Sequence, residues 1–160
     1  MADYIFTVIS NEFSTKNNEE VAKVFQDLGF EESYAKDDYV FVGSYGEQSW
    51  SDDFYVVKEK ATGKVIGAYD GMYPELQGLE DLVADKLSID VNDVDTKDYE
   101  EILLRDYVQD MLLDNEAFVL QETGHEKLRY NSGWAIVITR SDIKSFDLCS
   151  MIDEYLRGIK

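Results

Sequence analysis

The chain holds one cysteine and one histidine, and a thiol–imidazole pair is the first chemistry to test. Cys149 falls on the apolar side of a helical pattern near the end of the sequence, and His125 follows Gly124 in a turn-like stretch. A cysteine nucleophile needs a base within hydrogen-bond reach. The spacing supplies none, so the expectation is a buried core thiol and a surface histidine. A single cysteine also excludes an internal disulfide and a multi-cysteine metal site. Asp90, Asn92, Asp93, Asp95 and Glu101 form the spacing nearest to a metal loop. Counted as a calcium loop from Asp90, it has Asn92 at position three and Glu101 at position twelve, but Val94 at position five brings no side-chain oxygen and Asp95 stands where glycine is needed. Counted from Asp93, Lys97 takes a ligand position. The reading is no specific metal site, only weak and non-specific cation binding. Gly63-Lys64 lacks the upstream glycine of a phosphate loop, with Lys58 in its place. With 34 acidic residues, some carboxyl pairs approach by chance, so general acid–base chemistry leaves no specific signature. The sequence points to no catalytic residue and no cofactor.

The carboxylates do have a distribution. Residues 75–116 carry fourteen acidic residues against three basic ones (Lys86, Lys97, Arg105), a net of −11 in a chain of −19. Residues 117–160 carry six of each sign and are neutral. Solubility alone does not require such polarity, so the middle third reads as the presented surface and the last third as scaffold. Within it, residues 97–113 read as a helix, with Leu103, Leu104, Tyr107, Val108 and Met111 on one face. Thr96 or Asp95 would cap it, and Asp98, Glu100 and Glu101 suit the first turn, where carboxylates favour the helix dipole. Asp106, Asp110 and Asp114 have no such excuse: four apart toward the C-terminal end, they oppose the dipole and repel one another at a cost of a few tenths of a kcal/mol per pair. Such a column rises ~6 Å per step, comparable to the phosphate spacing of a nucleic-acid strand.

A pI near 4.2 makes direct binding to DNA, RNA or an anionic membrane unfavourable and basic partners attractive. The expected function is therefore a non-enzymatic binding protein that occupies the basic, nucleic-acid-binding surface of a partner such as a nuclease complex, with carboxylates in place of phosphates. The expected contacts are Asp93, Asp95, Asp98, Glu101, Asp106, Asp110 and Asp114, joined by Tyr45, Trp50, Asp52 and Asp53 from a polar loop over residues 43–53. Tyr69, Tyr73 and Tyr99 would add contact area where exposed, and Tyr107 is assigned to the core. In composition, the chain is similar to the small acidic inhibitors that phages and mobile elements direct at restriction or CRISPR nucleases; no residue motif accompanies that likeness. The alternative is a generic interaction or assembly module, self-associating through apolar surface as a homo-oligomer, with acidity serving only solubility. A carboxylate-dependent enzyme comes third.

The elements that must hold these residues follow from periodicity. Residues 3–9 alternate as a strand. A helix capped by Ser14 or Thr15 then carries Val21, Val24, Phe25 and Leu28 and stops at Gly29. Residues 38–42, 54–58 and 64–68 are strands, the last two joined as a hairpin with Gly63 at positive φ. After Pro74 come a helix over 77–87 and the acidic helix. Strands over 117–121 and 134–139 flank a long turn that could add a short strand near Leu128 and Tyr130, and a final helix capped by Ser141 or Ser145 buries Phe146, Cys149, Ile152 and Leu156. This order (β-α-β-β-β-α-α-β-β-α) predicts an α+β domain with a mostly antiparallel sheet and about four helices. At 160 residues and 44% hydrophobic, residues 1–160 suffice for one core and one domain. No apolar run reaches membrane length, and the opening Met-Ala-Asp-Tyr lacks the basic and apolar regions of a signal peptide. A cytoplasmic location is expected.

Overall fold

A computed structural model of the chain describes residues 5–46, 48–72, 78–126 and 130–159. Among them are ten strands in antiparallel sheets and four α-helices, an α+β fold. The strands are β1 (Ile5–Ser10), β2 (Tyr34–Ala35), β3 (Val40–Phe41), β4 (Gly43–Tyr45), β5 (Phe54–Glu59), β6 (Val65–Asp70), β7 (Tyr99–Leu103), β8 (Ala117–Glu126), β9 (Tyr130–Thr139) and β10 (Ile143–Asp147). The helices are α1 (Asn18–Asp27), α2 (Leu79–Leu87), α3 (Leu104–Met111) and α4 (Leu148–Ile159), and 3-10 turns occupy Val91–Asp93 and Thr96–Asp98. Three sheets result: five strands in the order β10-β9-β8-β1-β4, the β2-β3 ribbon, and three strands in the order β6-β5-β7.

Helix α1 forms because its apolar positions share one face: Val21, Ala22, Val24 and Phe25 are all buried. Its cap is Asn17, whose side chain accepts from the Glu20 backbone N–H at 3.2 Å. Ser14 and Thr15 are engaged elsewhere, Ser14 Oγ donating to the Asp38 carbonyl and Thr15 Oγ1 to Asn18. Against α1 pack Phe13, Phe30, Phe54 and Phe118, with Phe13–Phe118 and Phe25–Phe30 ring centroids 4.9 and 5.5 Å apart in edge-to-face geometry. From α3 come Leu104, Tyr107, Val108 and Met111, and from the five-stranded sheet Val8, Leu120, Ile136 and Ile138. A smaller cluster of Val57, Tyr69, Leu82 and Val83 seats α2 on the three-stranded sheet.

Several expectations are corrected. The helix over 97–113 is only its second half: residues 99–103 pair instead with β5, in the register Tyr55↔Leu103 to Glu59↔Tyr99. Of the carboxylates that read as a first turn, Glu100 and Glu101 belong to the strand and Asp98 ends the 3-10 turn before it. Residues 43–53 do not form a loop throughout, because β4 pairs with β1. The stretch 122–133 is largely the end of a long β8–β9 hairpin, so His125 lies in a strand rather than a turn. Trp50 is half-buried against Phe54 and Phe118, and Tyr69 is buried. The last helix begins only at Leu148, after β10, and Asp147 Oδ1 accepts from the Ser150 N–H at 2.8 Å. Phe146, Cys149, Ile152 and Leu156 are exposed, not buried. Tyr73, Pro74, Glu75 and Leu128 lie outside the described residues.

Candidate acidic interface

The acidic segment divides into two parts with different electrostatics. In the first, α2, the two 3-10 turns and β7 run consecutively along the small sheet. Each 3-10 turn opens on an aspartate that caps it. Asp90 accepts from the Asn92 backbone N–H at 2.9 Å and from its side chain at 2.8 Å, which holds the Asp90 carboxyl below the usual range. Asp95 accepts from the Lys97 N–H at 3.1 Å. Local chain reversal thus explains Asp90 and Asp95. Asp93 and Asp98, three residues later in each turn, are exposed and cap nothing. Strand β7 then presents Glu100 and Glu101, both exposed. Glu101 accepts from the Tyr69 hydroxyl, and burial, reinforced by this carboxylate, raises the Tyr69 pKa.

None of the nine carboxylates from Glu80 to Glu101 forms an ion pair among the described residues. The lysine that α2 could have offered them is turned away: Lys86 Nζ binds Asp27 of α1 at 2.9 Å. Lys60 reaches this ridge, but its Nζ donates to the Lys97 carbonyl at 2.7 Å.

The second part is α3, and there the expected column of free carboxylates is partnered. Lys16 binds Asp110 at 3.2 Å, Arg105 approaches Asp106 at 3.9 Å, and Arg140 approaches Asp114 at 3.5 Å. Asp114 lies beyond the helix end. These exposed pairs are worth roughly 0–1 kcal/mol each in stability, yet each sets a positive charge beside a negative one. The same Arg105 lies 3.9 Å from Asp52, which accepts from Trp50 Nε1 at 3.3 Å. The fold therefore brings the Trp50–Asp52 loop to α3, around an open depression of about 430 Å³ that Ile136, Ile143 and Ser145 complete. Asp53, exposed, ends the turn before β5, and Tyr45, 68% exposed, stands on edge strand β4 of the five-stranded sheet.

No family model, curated protein or solved structure matches this chain.

The geometry itself sets what the site can do. Among the described residues no three His, Cys, Asp or Glu side chains gather as a metal-binding group, and no buried side-chain polar atom lacks a hydrogen-bond partner. The ridge offers exposed negative charge on short, capped turns. Sequence reasoning passed over its construction, although two Asp-x-x-Asp repeats (Asp90/Asp93 and Asp95/Asp98) marked it. No described helix is long and apolar enough to cross a membrane.

Proposed function

We propose that this protein is a non-enzymatic binding protein, acting in the cytoplasm, whose acidic ridge over residues 85–101 occupies a basic, nucleic-acid-binding surface of a partner and so competes with nucleic acid, as an inhibitor of a nuclease would. The observation that carries this reading is the absence of any ion pair among the described residues for the nine carboxylates from Glu80 to Glu101 while Lys86 is held by Asp27. A chain that needed acidity only for solubility would gain from compensating neighbours, as α3 does. Uncompensated charge on an ordered surface raises the local potential, and with it the rate of encounter with a basic surface, by about 10- to 1000-fold.

The test is capture of partners from a nuclease-treated lysate at low and high salt. It compares native protein, a ridge variant (Asp93→Asn, Asp98→Asn, Glu100→Gln) and a helix variant (Asp106→Asn, Asp110→Asn, Asp114→Asn). Asp90 and Asp95 are left intact because they cap the turns. A nucleic-acid-handling protein should be retained by the native chain and the helix variant, and lost with salt and with the ridge variant, the association rate falling about tenfold or more. Equal retention by native and ridge proteins, or no retention of a basic partner at all, would sink the proposal.

A further inference from the structure

Strand β7 is an edge of the three-stranded sheet, and one hydrogen bond fixes where its backbone groups point. The Lys60 N–H donates to the Asp98 carbonyl at 2.8 Å, which continues the β5–β7 register by one pair. Bonded and non-bonded pairs alternate along an antiparallel ladder, so Lys58↔Glu100 and Val56↔Ile102 are the bonded pairs that follow. Tyr99, Glu101 and Leu103 therefore turn their backbone groups away from β5. The Tyr99 N–H is used in the turn before the strand, where it donates to the Thr96 carbonyl. The Tyr99 carbonyl, both backbone groups of Glu101 and the Leu103 N–H line the outer edge, and among the described residues no hydrogen bond reaches them. Four groups at this spacing are a template for one more strand.

The side chains decide which strand fits. Glu100 and Glu101 are both exposed and, being adjacent, project from opposite faces of the sheet. Neither forms an ion pair among the described residues. Lys58, opposite Glu100 on β5, instead holds its Nζ over the Tyr107 ring, 5.2 Å from the centroid. Glu101 is fixed by the Tyr69 hydroxyl. A second copy of β7 would bring carboxylates against carboxylates, whereas a lysine or arginine on an added strand would meet a carboxylate directly opposite on either face. The other described sheet edges make no such selection: β4 and the β2–β3 ribbon carry no charged residue, β10 carries both signs, and β6 has Asp70 alone.

We propose that β7 takes up an extended basic segment of a partner protein as a fourth, antiparallel strand of the small sheet. This rests on the acidic ridge binding a basic partner, and it specifies the part of that partner which binds: a basic arm of the kind that otherwise lies along nucleic acid. Reading from the start of the added strand, its residues stand opposite Leu103, Ile102, Glu101, Glu100 and Tyr99 in turn. The matching pattern is two apolar residues, two basic ones and an apolar one.

The test is calorimetric titration at 0.05 M NaCl with the peptide Val-Val-Lys-Lys-Val, its ends blocked, and with two N-methylated isomers of the same charge. Methylation on the third and fifth residues removes the donors that face β7; methylation on the second and fourth falls on the far edge of the added strand. The parent and the far-edge isomer should bind alike, and the near-edge isomer about tenfold more weakly. Amide hydrogen exchange at Glu101 and Leu103 should slow about tenfold or more in the complex, while Glu100 and Ile102, already in the β5 ladder, change little. Glu100→Lys, confirmed as folded by circular dichroism, should weaken the parent peptide about tenfold. Equal binding of all three peptides overturns the proposal and leaves the ridge as an attractor of positive charge alone. Binding of none overturns it too. The ridge's own role is then decided separately: a basic protein retained by the native chain and lost with the Asp93, Asp98 and Glu100 variant means that only the added strand is wrong, and no such protein means that both readings are.

Discussion

Glu122 shows what the fold does to a single carboxylate. It points inward from β8 and is half-buried, and the cost of burial outweighs the hydrogen bond that the Trp50 backbone offers, so its pKa is raised above the ordinary value of 4.5. The folded state therefore holds this proton more tightly than the unfolded chain does. By linkage, stability falls as pH rises from the ordinary carboxylate range through the raised folded value, and the loss persists above it. Glu122→Gln should remove that slope. Urea midpoints of variant and native protein should converge near pH 4, and the variant should be the more stable at pH 7. Tyr107 makes the matching point for a hydroxyl: fully buried on α3, it donates to Glu20 of α1 at 2.9 Å, and burial with that nearby carboxylate raises its pKa. Its place in the core was legible from the apolar stripe of its helix, whereas the tie to Glu20 joins residues 87 apart and leaves no trace in local spacing.

At the scale of elements, β7 explains why two glutamates are kept side by side. Among the described residues it pairs only with β5 and forms an edge of the sheet, and an open edge invites pairing with another chain unless charge blunts it. Glu100 and Glu101 supply that charge. Glu100→Val should leave the core intact but increase edge-to-edge association, read as a rise in light scattering on concentration at 37 °C. The same strand shows where periodicity misleads. The helical stripe from Leu104 to Met111 was real, but acidic residues before it resemble a helix start whether or not a distant strand claims them, and pairing with β5 joins residues 40 to 48 apart. Helix α4 misleads differently. Its apolar stripe was legible; what the stripe packs against was not, because amphipathic spacing is the same whether the cover comes from its own chain or from another.

Over the whole molecule, charge is segregated. The ridge carries carboxylates that form no ion pair among the described residues, α3 carries paired ones, and the sequence of the last third sums to zero charge. A compact body of net charge −19 is destabilised by its own field. Raising NaCl from 0.05 to 0.5 M should therefore raise the melting temperature by a few degrees, about 2–4 °C per kcal/mol for a chain of this size. A drop in melting temperature would mean that ion pairs, six of them among the described residues, outweigh the repulsion. The position of β1 governs how the molecule is made. It is held between β4, about 40 residues later in the sequence, and β8, about 110 later. At roughly 5–20 residues per second of synthesis, the first strand waits about 5–20 s before its second neighbour leaves the ribosome. The sheet on which α4 depends is therefore completed only after the acidic segment has emerged, so the nascent chain spends that interval as a polyanion with one side of an interior strand open, in reach of chaperones.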